Sequence, residues 1–127
     1  MRISHVALWT GKLETLREFY CNYFGGRSNE LYVNASKGFR SYFITFEGEV
    51  SLEIMSRTDM TEKAPDLRLG FCHISFLLPD RDSVVAMTER LRSDGYDIVG
   101  MPRVTGDGFF ESVIADPEGN LVELMAE

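Results

Sequence analysis

Two stretches of this chain repeat one another. Residues 47–55 read Glu-Gly-Glu-Val-Ser-Leu-Glu-Ile-Met, and residues 118–125 read Glu-Gly-Asn-Leu-Val-Glu-Leu-Met. Each is a glycine turn followed by an apolar run with one Glu inside it and a Met at its end. The second copy is introduced by Asp116-Pro117, and Asp-Pro followed by Gly-Asn is turn chemistry, because Pro fixes one φ while Gly and Asn tolerate φ > 0. Alternation in the closing strand puts Leu121, Glu123 and Met125 on one face, and Val122 and Leu124 on the other. A carboxylate among apolar neighbours is costly unless it is paired or binds a cation. The histidines repeat as well: His73 follows His5 by 68 residues, and Glu123 follows Glu53 by 70. A duplicated supersecondary unit meets these constraints.

The elements around these residues repeat in the same order. Residues 2–9 alternate as a strand with Ile3, His5, Ala7 and Trp9 on one face. After Thr10-Gly11, an apolar stripe of Leu13, Leu16, Phe19, Tyr20, Tyr23 and Phe24 predicts a helix, which Gly25-Gly26 ends. A short strand is expected over 27–33, a polar loop over 34–38, and a hairpin of 40–47 with 50–56 around Gly48. Residues 58–68, polar and interrupted by Pro65, read as a linker. The pattern then restarts. Residues 71–78 form a strand with Phe71, His73, Ser75 and Leu77 on one face, and Asp80 or Asp82 can cap the helix that follows. That helix buries Val84, Met87, Thr88 and Leu91 and stops at Gly95. Strands over 97–104 and 109–116 flank the turn Thr105-Gly106-Asp107-Gly108, and the closing strand completes the copy. The expected fold is α+β. Two βαβββ modules, 1–57 and 69–127, form a single 127-residue domain, whose curved sheets face one another across a metal-binding cleft where His5, Glu53, His73 and Glu123 converge.

Charge narrows the function. Thirteen basic residues against twenty acidic ones give a net charge of −7, which argues against a nucleic-acid-binding surface. The two cysteines, Cys21 and Cys72, make neither a disulfide framework nor a cysteine-rich zinc site and read as reduced, mostly buried thiols. No stretch approaches membrane-spanning length, and a cytoplasmic location without membrane association is expected.

Two imidazoles and two carboxylates are a good ligand set for a divalent first-row metal, and ligand type alone leaves zinc, nickel, cobalt, iron and manganese all open. Four protein ligands in an octahedral sphere leave two positions for water or for two substrate oxygens. Such a site polarises a carbonyl and stabilises an enediolate, and Glu53 or Glu123 could carry a proton as the catalytic carboxylate. The alternative for each residue alone is plain: a satisfied core histidine, or a Glu on a wet sheet face.

The repeated module, the four residues and the closing Asp-Pro-Glu-Gly-Asn-Leu-Val-Glu-Leu together resemble the vicinal oxygen chelate superfamily, the group of glyoxalase I, bleomycin-resistance proteins, fosfomycin-resistance thiol transferases and extradiol dioxygenases. The resemblance covers essentially the whole chain. It implies a homodimer with a metal site in each barrel-like cleft. The set His5, Glu53, His73, Glu123 matches glyoxalase I of the bacterial type, which implies isomerisation of a hemithioacetal or related α-hydroxycarbonyl, as in a lactoylglutathione lyase. Trp9 stands where that enzyme tends to carry an arginine for glutathione, and Ser56-Arg57-Thr58-Asp59 departs from its Asn-containing continuation. The small-molecule substrate could be a thiol adduct. A metal-independent module that sequesters a small compound and a thiol transferase are the competing readings.

Weaker candidates surround the set. Arg40, Arg57 and Arg103 could hold an anionic substrate group or lie solvated at the surface. Trp9, Phe43, Phe109 and Phe110 could line an apolar pocket or belong to the core. The Thr105–Gly108 turn reads equally as a flap or as a hairpin tip.

Overall fold

In the first helix of the chain, α1 (Leu13–Phe24), residues Leu13, Leu16, Phe19 and Tyr20 are buried on one side, at the three- and four-residue spacing that makes a helix amphipathic. Each fully buried aliphatic or aromatic side chain contributes about 1.5–3 kcal/mol, so this face fixes where the helix lies. It stops at Gly25, whose φ of 65° is left-handed, and the N–H of the following Gly26 donates to the Tyr20 carbonyl at 3.2 Å. At Gly26 the chain passes so close to the sheet that a Cβ would meet Ile44 Cγ2 at 2.5 Å.

The computed structural model describes residues 1–63, 65 and 69–127. The chain divides into two units, Met1–Asp66 and Leu67–Glu127, each described by itself. Within the linker expected over 58–68, residues 64 and 66–68 lie outside the described residues.

In the first unit the strands are β1 (His5–Trp9), β2 (Arg27–Ser28), β3 (Tyr32–Asn34), β4 (Phe39–Thr45) and β5 (Ser51–Arg57). The sheet order is β1-β5-β4-β2, with β3 also paired to β4, and β1 runs parallel to β5. α1 packs on β4 and β5, against the face carrying Tyr42, Ile44, Leu52 and Ile54, all buried. The single strand expected over 27–33 is broken in two. Its middle is tied down by Asn29, whose N–H donates to the Phe43 carbonyl at 3.0 Å and whose side-chain oxygen accepts from Phe43 N–H at 2.8 Å. The loop over 34–38 contains a short 3-10 turn, Ala35–Lys37.

The second unit repeats the plan without the break: β6 (His73–Leu77), α2 (Arg81–Ser93), β7 (Ile98–Val104), β8 (Phe110–Ala115) and β9 (Leu121–Ala126), in the order β6-β9-β8-β7. Of the two candidate caps Asp80 serves, accepting from Ser83 N–H at 2.7 Å. α2 buries Val84, Thr88 and Leu91 on β8 and β9, and Met87, at the edge of the stripe, is only half-buried. Cys72 is exposed rather than buried, because it lies just ahead of β6, and Cys21 on α1 is half-buried; both are free thiols. The result is two βαβββ modules of mixed sheet and helix, an α+β chain. Among the described residues no helix is long and apolar enough to cross a membrane.

Candidate functional site

Strand register decides which side chains meet. In the first unit Glu53 is flanked by Ala7 on β1 and Phe43 on β4; in the second, Glu123 is flanked by Ser75 on β6 and Val113 on β8. Each Glu thus points away from the helix, because its neighbours Leu52, Ile54, Val122 and Leu124 occupy the helix side. His5 and His73 sit two residues before those flanking positions, on the same face as the carboxylates.

The second register is locked by the turn before β9. The buried Asp116 accepts from Glu118 N–H and Asn120 N–H with one oxygen, both at 2.9 Å, and from the Asn120 side chain with the other at 3.0 Å. Gly119 takes a φ of 87° there. The Asp-Pro-x-Gly-Asn sequence therefore places Glu123.

Each unit builds a His–Glu pair. His5 Nε2 lies 3.7 Å from Glu53 Oε2, and His73 Nε2 lies 3.6 Å from Glu123 Oε2. Both imidazoles are 42% exposed, whereas the carboxylates are 16% and 14% exposed. These distances exceed hydrogen-bond reach, yet two ligands about 2.1 Å from one ion can stand up to about 4 Å apart. The donor chemistry and spacing therefore suit two neighbouring positions on a cation. Ser4 Oγ lies 2.9 Å from His5 Nδ1, and in the tautomer whose Nδ1–H donates to that hydroxyl the Nε2 lone pair is left for a ligand bond. The edge of Phe43 packs on His5 with ring centroids 5.2 Å apart. Among the described residues, no three His, Cys, Asp or Glu side chains form a metal-holding group. Each unit supplies two of the four expected ligands.

The second unit adds two residues that the sequence reading passed over as site members. Ser75 Oγ donates to Glu123 Oε1 at 2.7 Å. Glu111, across from Met125 on β9, lies beside Glu123 and 3.7 Å from Arg103. Burial first, then the Glu123 charge, push the Glu111 carboxyl above its ordinary value, with Arg103 opposing them. Counting back by twos along β8 from Val113 would have placed Glu111 on this face. An open pocket of about 570 Å³ is lined by His73, Thr105, Asp107, Phe109, Glu111 and Glu123. The Thr105 hydroxyl donates to Asp107 and holds its carboxyl below the usual range.

The other expected substrate residues divide. Trp9, 42% exposed, shares the face of His5 and packs edge-on against Phe39, which in turn meets Tyr32. Phe43 touches His5, and Phe109 lines the pocket. Phe110 does not line it, since alternation turns it to the α2 side, where Arg81 lies over its ring. Arg57 is occupied by two hydrogen bonds to Asp59, at 2.9 and 2.6 Å. Arg103 faces Glu111, and Arg40 lies on the opposite face of β4 from Phe43.

With this geometry in hand, the comparisons are consistent. The model of the Glyoxalase/Bleomycin resistance protein/Dioxygenase superfamily matches residues 2–124. The chain belongs to that superfamily, the vicinal oxygen chelate group. A glyoxylase/bleomycin resistance protein/dioxygenase domain from Frankia sp. EAN1pec superposes with a TM-score of 0.83 at 16% identity, covering 99% of this chain and 97% of that one. Glyoxalase I from Zea mays gives 0.81 at 22% identity over 98% of this chain, which spans only 44% of the maize chain. The trypanothione-dependent glyoxalase I of Leishmania major gives 0.79 at 21% identity, covering 100% and 87%. At such identities the likeness is one of fold. No curated protein matches.

Proposed function

We propose that the chain is a metal-dependent enzyme of glyoxalase type, in which the His5–Glu53 and His73–Glu123 pairs together hold one divalent ion. The observation that carries this reading is the repetition itself: the same Nε2–Oε2 separation, 3.7 and 3.6 Å, recurs at the same register with half-exposed imidazoles and mostly buried carboxylates. In both units the imidazole and the carboxylate stand too far apart to hydrogen-bond, and near enough to take neighbouring positions on one cation.

The ion would polarise two adjacent oxygens of an α-hydroxycarbonyl or hemithioacetal. The residues of the chain do the rest. His5 and His73 would hold the ion, each through Nε2. Glu53 or Glu123 takes the proton from the acidified C–H and returns it to the neighbouring carbon. Phe43, Trp9 and Phe109 present apolar surface to the substrate, and water exclusion there strengthens the carboxylate's action as a base. The reading extends to a homodimer in the cytoplasm.

A metal-free binding module is favoured by one observation, the edge-to-face series Trp9, Phe39 and Tyr32, which suits a flat apolar ligand. Metal analysis of untagged protein separates the two. The enzyme reading expects one bound ion per site, a higher Tm with nickel, zinc or manganese, and turnover of methylglyoxal with glutathione or another thiol. Protein that takes up no ion and gains no Tm from any of them contradicts it.

A further inference from the structure

The edge strand β7 slips out of step with β8 between Ile98 and Gly100, and again between Gly100 and Arg103. In a regular strand, residues three apart face opposite sides of the sheet. Here the steps from Gly100 to Arg103 match only those from Val113 to Glu111 on β8, so Gly100 and Arg103 share one face with both. Glu123 lies on that face too, paired with Val113 from the other side. Gly100 makes room for the arginine. A Cβ there would stand 2.9 Å from Arg103 Nη1 and 3.7 Å from its Cζ, while Val113 Cβ would be an ordinary 3.6 Å away. The guanidinium therefore folds back over bare backbone, in the row of residues that leads across β8 to Glu123.

Little holds that guanidinium. Its Nη1 donates to the Met101 carbonyl at 3.4 Å, and its Nη2 stands 3.7 Å from Glu111 Oε1, beyond hydrogen-bond reach. Among the described residues it makes no other hydrogen bond, and the side chain is 51% exposed. A planar fork with unfilled N–H groups is built to take a carboxylate through two parallel bonds.

Resting on the metal-site reading above, we infer that Arg103 is a specificity-determining residue that holds a carboxylate of the substrate, and that Gly100 is the residue that lets it do so. The substrate class narrows to an α-hydroxycarbonyl or hemithioacetal with a carboxylate remote from the reacting oxygens. Gly100, Val113 and Glu123 lie on successive strands, so the guanidinium stands about 10 Å from the Glu123 backbone. That span calls for a spacer of several bonds between the chelating oxygens and the carboxylate. A single negative charge suits the place better than a dianionic phosphate, because Glu111 stands beside the guanidinium and Asp107 lines the adjoining pocket.

The test reads binding rather than turnover, using full-length nickel-loaded protein and three hydroxamates whose two adjacent oxygens chelate the metal. Adipic monohydroxamate ends in a carboxylate, hexanohydroxamate in a methyl group, and ε-aminocaproic hydroxamate in an ammonium. Calorimetry is expected to show wild type binding the carboxylate probe about tenfold or more tighter than the methyl probe. Arg103→Gln weakens only the carboxylate probe and brings the two within about twofold, whereas Arg103→Lys, a point charge without the fork, keeps part of the preference. Gly100→Ala retains the charge but displaces the guanidinium. It is expected to lose most of the preference with a Tm close to wild type, since only the end of a flexible side chain has to move. Equal binding of the carboxylate and methyl probes, tighter binding of the ammonium probe, or a preference that survives Arg103→Gln overturns the inference and leaves the metal site standing. Wild type that takes up no nickel, or that binds none of the three probes once loaded, overturns the reading of the site and the inference with it.

Discussion

Asp116 grips Asn120 twice, through its backbone N–H at 2.9 Å and its side-chain amide at 3.0 Å. The turn closed in this way delivers β9 to its neighbours in a single register, and a slip of one residue would turn Glu123 from the site face to the helix face. Asp116→Ala removes a buried carboxylate and three hydrogen bonds, leaving their donors to find water. A loss of about 2–4 kcal/mol is expected, measured by urea denaturation, together with weaker metal binding.

Thr88 and Ser112 share a buried hydroxyl contact of 2.6 Å between α2 and β8, and Thr88 also donates to the Val84 carbonyl. Thr88→Val alone strands Ser112 and is expected to cost about 1–3 kcal/mol. Adding Ser112→Ala removes the stranded group, so the double variant recovers part of that loss. A double-mutant cycle in denaturant checks it; strictly additive losses would mean that the hydroxyls do not depend on one another.

The Glu111 carboxyl is held above its ordinary value of 4.5 by burial and by the nearby Glu123 charge. Its folded form therefore prefers the proton more than its unfolded form does. The stability this group contributes is full below about pH 4.5 and is lost as pH rises through the higher folded value. Glu111→Gln removes that dependence, and the expected outcome is a variant whose Tm, compared with wild type, improves progressively as pH rises across that window. A parallel pair of curves would show that Glu111 does not titrate as described.

Tyr42 donates to Glu14 at 2.7 Å, and Arg17 holds the other oxygen at 3.0 Å. The bond from Tyr42 is the main reason the Glu14 carboxyl lies below its ordinary value. That contribution is present above the unfolded pKa and lost as pH falls through the folded one. Tyr42→Phe should lower stability modestly near neutrality and narrow its difference from wild type in acid, as followed by Tm.

Much of this was readable in the residues. The helix stripes of Leu13, Leu16, Phe19 and Tyr20 and of Val84, Thr88 and Leu91 fixed α1 and α2, because three- and four-residue spacing leaves no other regular structure. The paired strands carrying Glu53 and Glu123 were equally plain, since alternation and a preceding glycine turn specify both face and start. The break in the strand over 27–33 was not, because it depends on Asn29 meeting Phe43 fourteen positions later in the chain. Glu111 escaped for a related reason: its meaning comes from Glu123 on the neighbouring strand, and nothing in its own segment marks it. Phe110 and Phe109 looked alike as adjacent aromatics, and strand alternation separated them into helix side and pocket side.

Nickel titration of wild type, His5→Ala and His73→Ala puts the shared-ion reading to its most direct trial. If both pairs grip one ion, the wild type binds one nickel per chain, and either substitution, although the two lie in different units, weakens binding by the same large factor. Should each variant keep one half of the wild-type capacity at undiminished affinity, the pairs are independent and no common metal centre exists.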